Sequence, residues 1–508
     1  MAKTNVSQQQ WQGEMAKPLI GREESFTGWQ IFVSLTAVLL LCYVPVLVTP
    51  YAFSDDYALL TTSIRGEMAS EWAIKTSQGR PTHALLLNLF FPKSNVGELC
   101  YLRLLGVVGI IFLAWNLYRT LVRVGWSSNL SFALAVIVCT LPPFQVYASW
   151  AVTVFFPFAA LASGEALSLA ERAFHERRPS CKWGLVVGAV LLLLLALTIF
   201  QPAAMFFWVF AAITLFKPEA SLSYVLRRFL WYTAIGFTGL LLGFSVYKLG
   251  SAMYGHMIPP LRSHLTQDIG EKALWFFRQP LTNALNLLKL SPKRWLAMSV
   301  GVFITGGLIL YLQGTTKERL CKIMIALSLV PFSYLPNLVI AESWPAYRTL
   351  SALTSVIAVY AFFALWGYGR VLGRSVTAPV LTAGLGLAAL TSSLLAAHNV
   401  TTYFALPQFL EIKWLRGYLA QQDLSQTRSI YVISSSWRDS IAPAVRYDEF
   451  GLPSSFPPWS SGSMVYLLLR EINPERANLP VEVVPADGPI NPPADALVVD
   501  MRKLAHLR

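Results

Sequence analysis

Charged residues are scarce in this sequence. They make up 13% of its 508 residues and apolar residues make up 55%, whereas about 25% of a typical soluble globular protein is charged. The mean hydropathy is +0.51. This balance excludes disordered, fibrous and ordinary cytosolic proteins, and it predicts a polytopic membrane protein.

Cysteines are also few, and the familiar nucleotide and metal motifs are missing. The five cysteines have no paired spacing, and Cys42 and Cys139 lie inside apolar runs, which excludes a disulfide framework or a zinc site. The sequence has no Walker-type phosphate loop, dinucleotide glycine fingerprint, zinc-helix motif or nucleophile elbow. Any group donor is therefore expected to come from the membrane itself.

Basic residues are in excess, with a formal net charge of +13. They are spread between apolar runs, and no basic stretch is interleaved with aromatic residues in the manner of a nucleic-acid-binding protein. We therefore expect no nucleic-acid partner and interpret the excess as a signal of membrane topology.

Apolar stretches long enough to cross a bilayer recur along the chain. A hydrocarbon core of about 30 Å requires about 20 apolar residues in a helix. Between the fifth and sixth stretches, Gln201-Pro202 is either an external turn or a kink. The eleven candidate spans are 29–49, 100–118, 129–147, 150–170, 184–200, 202–216, 229–250, 296–313, 323–341, 349–368 and 377–398.

Short basic loops alternate with these spans. Basic residues precede the first span and follow the second, fourth, sixth, eighth and tenth. By the positive-inside rule these loops are cytoplasmic, together with the N-terminal segment 1–28. Three parts of the sequence are then external: the loops 50–99 and 251–295, and the C-terminal part 399–508.

The external parts are predicted to be folded. Residues 79–91 are apolar but too short to span, so they are expected to lie in the interface or to re-enter, and residues 271–290 indicate a pair of amphipathic helices. Beyond residue 399, three strand-like stretches predict a small α/β domain. Three polar neighbours in it are expected to form a solvated face: Arg446, Asp448 and Glu449.

An acidic pair follows the first span within a few residues. Asp55 and Asp56 stand in the sequence SDDY, and ionisable groups this close to the hydrocarbon region are candidates for a functional site because their desolvation is costly. Partial burial would also raise the proton affinity of one carboxylate, as a general base requires. Alternatively, Asp55 caps the helix that starts here and Asp56 lies in its first turn.

Two further loops carry candidate binding residues. In QGRP, Arg80 presents a guanidinium fork suited to phosphate or snorkels to lipid headgroups, and His83 follows closely. The loop between the ninth and tenth spans combines aromatic rings for a sugar, an acid for its hydroxyl groups and an arginine for a phosphate, although aromatic residues there also suit the membrane interface. The other candidates are Tyr57, Arg262, Glu342, Trp344, Tyr347 and Arg348.

The order SDDY, then QGRP at the far end of the same external loop, resembles the multi-spanning glycosyltransferases of the GT-C type. Within that type it is most similar to the serotype-converting glucosyltransferases that modify bacterial O-antigen. The matching motif is confined to residues 54–81, while the layout of residues 30–400 also suits the group. The resemblance implies an inner-membrane enzyme with a cytoplasmic N-terminus and a periplasmic C-terminal domain.

The resemblance also implies a reaction. A sugar, expected to be glucose, passes from a polyprenyl-phosphate carrier to lipopolysaccharide O-antigen or a similar glycan, usually with inversion. Asp55 or Asp56, with a slight preference for Asp56, would deprotonate the acceptor hydroxyl, and Arg80 or Arg348 would stabilise the departing phosphate. No cofactor or divalent metal is expected, because no further acids cluster in the sequence.

Two other functions fit a chain of this composition. A transporter or flippase of lipid-linked saccharides would carry charges or broken helices near the bilayer midplane, whereas here the acids and arginines gather at the predicted external surface. A third possibility is a related enzyme that moves whole glycans or phosphoryl groups.

Overall fold

The computed structural model describes residues 27–255, 264–372, 374–442 and 447–507. Most of the predicted cytoplasmic segment 1–28 lies outside these ranges, as does Arg262. The described chain is mainly helical with one small sheet. The predicted fold class is confirmed at this level.

Helices account for most of the described chain. They are α1 (Gly28–Val48), α2 (Asp55–Arg65), α3 (Met68–Ser77), α4 (Pro81–Phe90), α5 (Leu99–Arg123), α6 (Ser128–Cys139), α7 (Pro142–Ser149), α8 (Phe156–His175), α9 (Pro179–Ile199), α10 (Gln201–Ala204), α11 (Phe206–Leu215), α12 (Leu222–Tyr254), α13 (Ile269–Arg278), α14 (Pro280–Leu285), α15 (Arg294–Tyr311), α16 (Thr316–Phe332), α17 (Leu335–Val339), α18 (Ser351–Leu372), α19 (Arg374–Val400), α20 (Leu406–Ala420) and α21 (Pro458–Ile472).

Within the ranges that the structure describes, eight helical segments are long and apolar enough to cross a membrane, or nine if the bent pair α6–α7 is one span. The chain is thus a multi-pass membrane protein. All eleven predicted segments fall on helices, but three of them are bent, short or polar at one end, so the number eleven stays a prediction. The eight segments are Gly28–Val48, Val96–Arg123, Ala151–His175, Pro179–Ile199, Leu222–Tyr254, Arg294–Tyr311, Ser351–Val371 and Pro379–Ala420.

Prolines explain where the remaining apolar helices break. The axis bends by 61° between α6 and α7, where Pro142 and Pro143 begin the second helix. Pro202 starts the short α10 in the same way. Proline has no amide N–H and clashes with the preceding turn, so it is tolerated at the start of a helix and interrupts its interior.

Small residues allow two spans, α15 and α18, to pack closely. A Cβ atom added to Gly307 would lie 2.4 Å from the Cβ of Ala364, and one added to Gly367 would lie 2.2 Å from the carbonyl oxygen of Gly307. Membrane helices associate through such close backbone approaches, because lipid supplies no hydrophobic force between helices.

The C-terminal part holds a three-stranded parallel sheet in the order β2-β1-β3. Its strands are β1 (Ser429–Ile433), β2 (Val481–Val484) and β3 (Ala496–Asp500), at the three predicted positions. The predicted domain boundary at residue 399 falls inside a helical segment, because α19 continues through a π-helical turn, Thr401–Ala405, into α20. The sheet therefore begins later than the composition suggested.

Loops that were predicted to share a side of the membrane lie together. The Tyr311 hydroxyl donates to the carbonyl of Phe216 at 2.6 Å, and the Lys322 ammonium donates to the carbonyls of Ala220 and Gln313 at 2.6 and 2.7 Å. These contacts join two loops that were both predicted to be cytoplasmic. Which end of the molecule faces the cytoplasm stays a prediction.

Candidate active site

A buried arginine fixes the end of the first span. Arg103 of α5 is fully buried and donates from Nε, Nη2 and Nη1 to the carbonyls of Val46, Thr49 and Tyr51, at 2.6, 3.2 and 2.9 Å. The last carbonyls of a helix have no partner within the helix, so these bonds satisfy them and set the path of the chain toward Asp55.

Asp56 is sealed inside the protein. Its carboxylate accepts backbone N–H groups from Phe53, Ala151 and Val152 at 3.0, 3.3 and 3.0 Å, and its side chain has no exposed surface. Burial raises the pKa of Asp56 to about 7, although these hydrogen bonds oppose the rise. Asp56 therefore clamps the 3-10 turn Ala151–Thr153 against α2, and the preference for it as the base is corrected.

Asp55 is the accessible member of the pair. It is half-buried, and its Oδ1 accepts the indole N–H of Trp459 at 3.0 Å. The preceding residue, Ser54, has a positive φ of 47°, which is strained for a residue with a side chain. Ser54 is held on both sides: its N–H donates to Ser454 Oγ at 2.9 Å, and its carbonyl accepts from Ser460 Oγ at 3.0 Å.

Arg348 is the central cation of the site. Its Nη1 donates to Glu449 Oε1 at 2.6 Å, and its guanidinium carbon lies 4.9 Å from the ring centre of Trp344 and 5.2 Å from that of Trp150. Burial alone would lower the pKa of Arg348. The nearby carboxyl groups, Asp55 among them, hold that pKa above its ordinary value instead.

Asp448 and Glu449 are adjacent carboxyl groups that interact electrostatically with each other and with Arg348. Asp448 accepts the indole N–H of Trp344 at 3.0 Å and the backbone N–H of Tyr347 at 2.6 Å. Burial and the neighbouring Glu449 raise the pKa of Asp448 well above its usual range, while Asp448 and Arg348 lower the pKa of Glu449 in spite of burial. The two residues belong to the site and not to the solvated face that the sequence suggested.

A cavity of about 380 Å³ opens beside this cluster. Arg80 and Arg348 both line it, together with Glu342 and Trp344. Its remaining wall is largely apolar and comes mainly from α12 and α17, with Leu197 from α9. The apolar residues include Phe237, Leu240, Leu241, Phe244, Leu335 and Val339. The cavity is thus lined both by two arginines and by apolar side chains of membrane helices.

A glycine turn places Arg80 in that cavity. Gly79 has a φ of 74°, and a Cβ atom added to it would lie 2.9 Å from the Cβ of Tyr247 on α12. Arg80 Nε donates to Gln201 Oε1 at 2.9 Å, and its guanidinium carbon lies 4.8 Å from the ring centre of Phe200. Only a glycine fits between α3 and α12 here with this backbone conformation.

Asn337, in α17, also lines the cavity and was not singled out from the sequence. Its side chain is 9% exposed, and its Nδ2 has no hydrogen-bond partner in the part of the chain that the structure describes. Buried amide donors are normally paired. No pattern in the sequence marks this asparagine, because its role depends on the position of α17.

The other predicted residues divide into two groups. Glu342 and Trp344 line the cavity, and their contact with a sugar stays a prediction. His83, Tyr57 and Tyr347 are at most 2% exposed, and burial lowers the pKa of His83 to about 3, which keeps its ring neutral. A sugar cannot reach these three side chains without rearrangement, so they are excluded from the proposed binding surface.

No protein-family model and no curated protein sequence matches this chain. Among solved structures, the chain is similar to ArnT from Cupriavidus metallidurans in the apo state, with 13% sequence identity and a TM-score of 0.46. The similarity covers 92% of this chain and 86% of that one. At these values it transfers neither a function nor a residue role to this chain.

The geometry suits chemistry on an anionic, lipid-linked substrate. Two arginines line one cavity, and a carboxylate that retains an accessible oxygen acts electrostatically on one of them. Across the described ranges, no group of three or more His, Cys, Asp or Glu side chains is arranged to hold a metal ion. Independence from divalent metal stays a prediction.

Proposed function

We propose that this protein is an integral-membrane glycosyltransferase of the GT-C type. It transfers a sugar from a polyprenyl-phosphate carrier to lipopolysaccharide O-antigen or a similar surface glycan on the external face. The sugar is proposed to be glucose, because the motif in residues 54–81 resembles that of the serotype-converting glucosyltransferases. The observation that carries the proposal is the cavity, which is lined by two arginines and an apolar helical wall, with the half-buried carboxylate of Asp55 acting electrostatically on Arg348.

The cavity suits a lipid-linked donor. Leu241 of α12 is 67% exposed and belongs to a candidate membrane span, so the apolar wall continues onto the lipid-facing surface. A polyprenyl tail would lie along this wall and leave the phosphate beside the two arginines. Arginine suits this place because its planar fork binds phosphate oxygens through several N–H groups.

Asp55 is the group best placed to act as the base. Its Oδ1 is occupied by Trp459, and Oδ2 makes no hydrogen bond within the described ranges. Oδ2 would take the proton of the acceptor hydroxyl while the acceptor oxygen bonds to the anomeric carbon. The bond between that carbon and the phosphate oxygen breaks, its electron pair stays on the phosphate, and Arg348 and Arg80 stabilise the new charge.

The test is sugar transfer by the purified protein in lipid nanodiscs. Radiolabelled polyprenyl-phosphate glucose and lipopolysaccharide are supplied, with other polyprenyl-phosphate sugars compared in parallel. Wild type is expected to label the glycan, and Asp55→Asn is expected to lower kcat by about 10²-fold or more, the usual contribution of a general base.

Glu67→Gln is the matched control, because Glu67 is an exposed acid in the same predicted loop. It should transfer sugar at the wild-type rate. Full activity of Asp55→Asn would remove Asp55 as the base. Movement of the labelled lipid between leaflets, without cleavage of the bond between sugar and phosphate, would show that the protein is a flippase and not a glycosyltransferase.

A further inference from the structure

Trp459 is an unusually exposed indole beside the proposed base. It is the second residue of α21, its side chain is 60% exposed, and nearby Phe456 is 40% exposed. The indole N–H is fixed on Asp55 Oδ1 at 3.0 Å. The ring therefore has its polar edge satisfied and an apolar face open to solvent, next to the carboxylate.

The segment that carries Trp459 is rigidly attached. Ser454 and Ser460, on either side of the indole, bind the two peptide groups of Ser54. The backbone N–H groups of Ser454 and Ser455 donate to the buried carboxylate of Glu411 on α20, at 3.0 and 2.9 Å. Trp459 is thus part of a fixed framework, which reduces the entropy that binding would cost.

A second exposed indole, that of Trp344, is also fixed by a hydrogen bond from its N–H to a carboxylate. Trp344 is 46% exposed, its N–H is fixed on Asp448 at 3.0 Å, and Arg348 lies over its ring. Trp344 lines the cavity proposed for the donor, whereas Trp459 is not among the residues that line it. Trp344 therefore belongs to the cavity, whereas Trp459 lies against Asp55.

We infer that Trp459 binds the acceptor: the face of its indole packs against a pyranose ring of the acceptor glycan, and its N–H orients Asp55. This inference rests on the proposed function. An indole is rigid and amphipathic, so it offers a large apolar face to the C–H groups of a sugar at low entropic cost. Because Trp459 occupies Oδ1, a hydroxyl of that sugar meets Oδ2. The C-terminal part of the chain thereby supplies acceptor recognition.

Two substitutions separate the two roles. Trp459→Phe keeps an aromatic face and loses the N–H, so it is expected to lower kcat about 10-fold with little change in the acceptor KM. Trp459→Ala loses both, so it is expected to raise the acceptor KM about 10-fold as well. Neither should alter the KM of the lipid-linked donor. The control is Trp295→Ala. Trp295 is 66% exposed on α15 and, in the described structure, its indole does not bond to Asp55 or Asp448, the carboxylates that fix Trp459 and Trp344.

Direct binding gives a readout that does not depend on transfer. The probe is a set of soluble O-polysaccharide fragments released from lipopolysaccharide by mild acid, with binding to the nanodisc-embedded protein followed by saturation-transfer NMR. Wild type, Trp459→Phe and the control are expected to bind, and Trp459→Ala is expected to bind about 10-fold more weakly.

The two proposals fail in different ways. Wild-type acceptor KM and fragment affinity in Trp459→Ala would overturn the inference while leaving the transfer activity intact. Fragment binding that is lost in Trp459→Ala, in a protein that transfers no sugar from any donor, would support the acceptor surface and overturn the glycosyltransferase.

Discussion

Two adjacent aspartates have opposite environments in this protein. Successive residues of a helix point about 100° apart, so at the start of α2 Asp56 faces the interior and Asp55 faces the open side. The sequence predicted a functional role for the pair but could not separate its members. Their partners, Val152 and Trp459, are remote in the sequence and come close only in the fold.

Asp56, the buried aspartate, should make the stability of the protein depend on pH. The folded-state pKa of Asp56, about 7, lies above the value of about 3.9 for an unfolded aspartate. The folded chain therefore binds the proton more tightly, and this stabilisation is complete below about pH 4 and is lost as the pH rises through 7. The wild-type melting temperature should fall between pH 4.5 and 7.5 relative to that of Asp56→Asn.

Thermal unfolding of both proteins in the same detergent at each pH measures this difference. Asp55→Asn is the control, since that carboxylate is only half-buried and should leave the pH dependence of the wild type in place. A difference between wild type and Asp56→Asn that does not change with pH would contradict the burial of a titrating Asp56.

Asn337 should affect binding of the lipid-linked sugar and not the stability of the fold. Its Nδ2 makes no hydrogen bond in the described structure, so Asn337→Ala breaks no hydrogen bond of that amide nitrogen and removes an N–H group available to a ligand. Since a hydrogen bond to a charged group contributes about 1.5–3 kcal/mol, the donor KM should rise about 10-fold with an unchanged melting temperature. Asn88→Ala on the exposed side of α4 is the control, and an unchanged donor KM in Asn337→Ala would exclude the contact.

At the scale of elements, apolar length predicted the helices well and their interruptions poorly. The spans, the amphipathic pair α13–α14 and the three strands lie where hydropathy and periodicity indicated. The domain boundary at residue 399 stays a prediction: the composition becomes more polar there, while the helical segment continues to Ala420. Composition reports the surroundings of a segment, whereas the end of a helix depends on local backbone bonds.

The turn between α3 and α4 provides a test at this scale. In Gly79→Ala, the new methyl group would meet Tyr247 at 2.9 Å on a backbone with a φ of 74°. We expect Arg80 to be displaced, transfer to fall at least about 10-fold, and stability to fall by about 1–2 kcal/mol.

Gly66→Ala is a matched control for that substitution. Gly66 has the same φ of 74°, but a Cβ atom added there would meet nothing within 4 Å. It carries the backbone strain without the clash, so transfer should stay near the wild-type rate. Equal losses of transfer in the two variants would show that strain, and not the position of Arg80, matters.

At the scale of the whole molecule, the candidate site draws on distant parts of the chain. Asp55, Arg80, Arg348, Glu449 and Trp459 come from the first loop, a late loop and the C-terminal part. The sequence predicted the first three from local motifs. The last two were missed because their role exists only where the C-terminal part meets the loop before α18.

Native cysteines can test the predicted sidedness. Cys181 and Cys321 are exposed free thiols beside loops that were predicted to be cytoplasmic. A membrane-impermeant maleimide should label them in inverted vesicles and not in intact spheroplasts. Asp487→Cys, at an exposed position of the C-terminal part, should show the reverse. Labelling of all three positions from one side would contradict the topology.

The strained Ser54 has a consequence for biogenesis. Its backbone is held by serines some 400 residues further along the chain, which leave the ribosome long after Ser54 itself. A nascent chain whose preceding helices are already in the bilayer still lacks the hydrogen bonds from Ser454 and Ser460 to Ser54, which position the neighbouring Asp55. The backbone conformation of Ser54, and with it the position of Asp55, is therefore expected to be fixed only after the segment with Ser454 and Ser460 has been made.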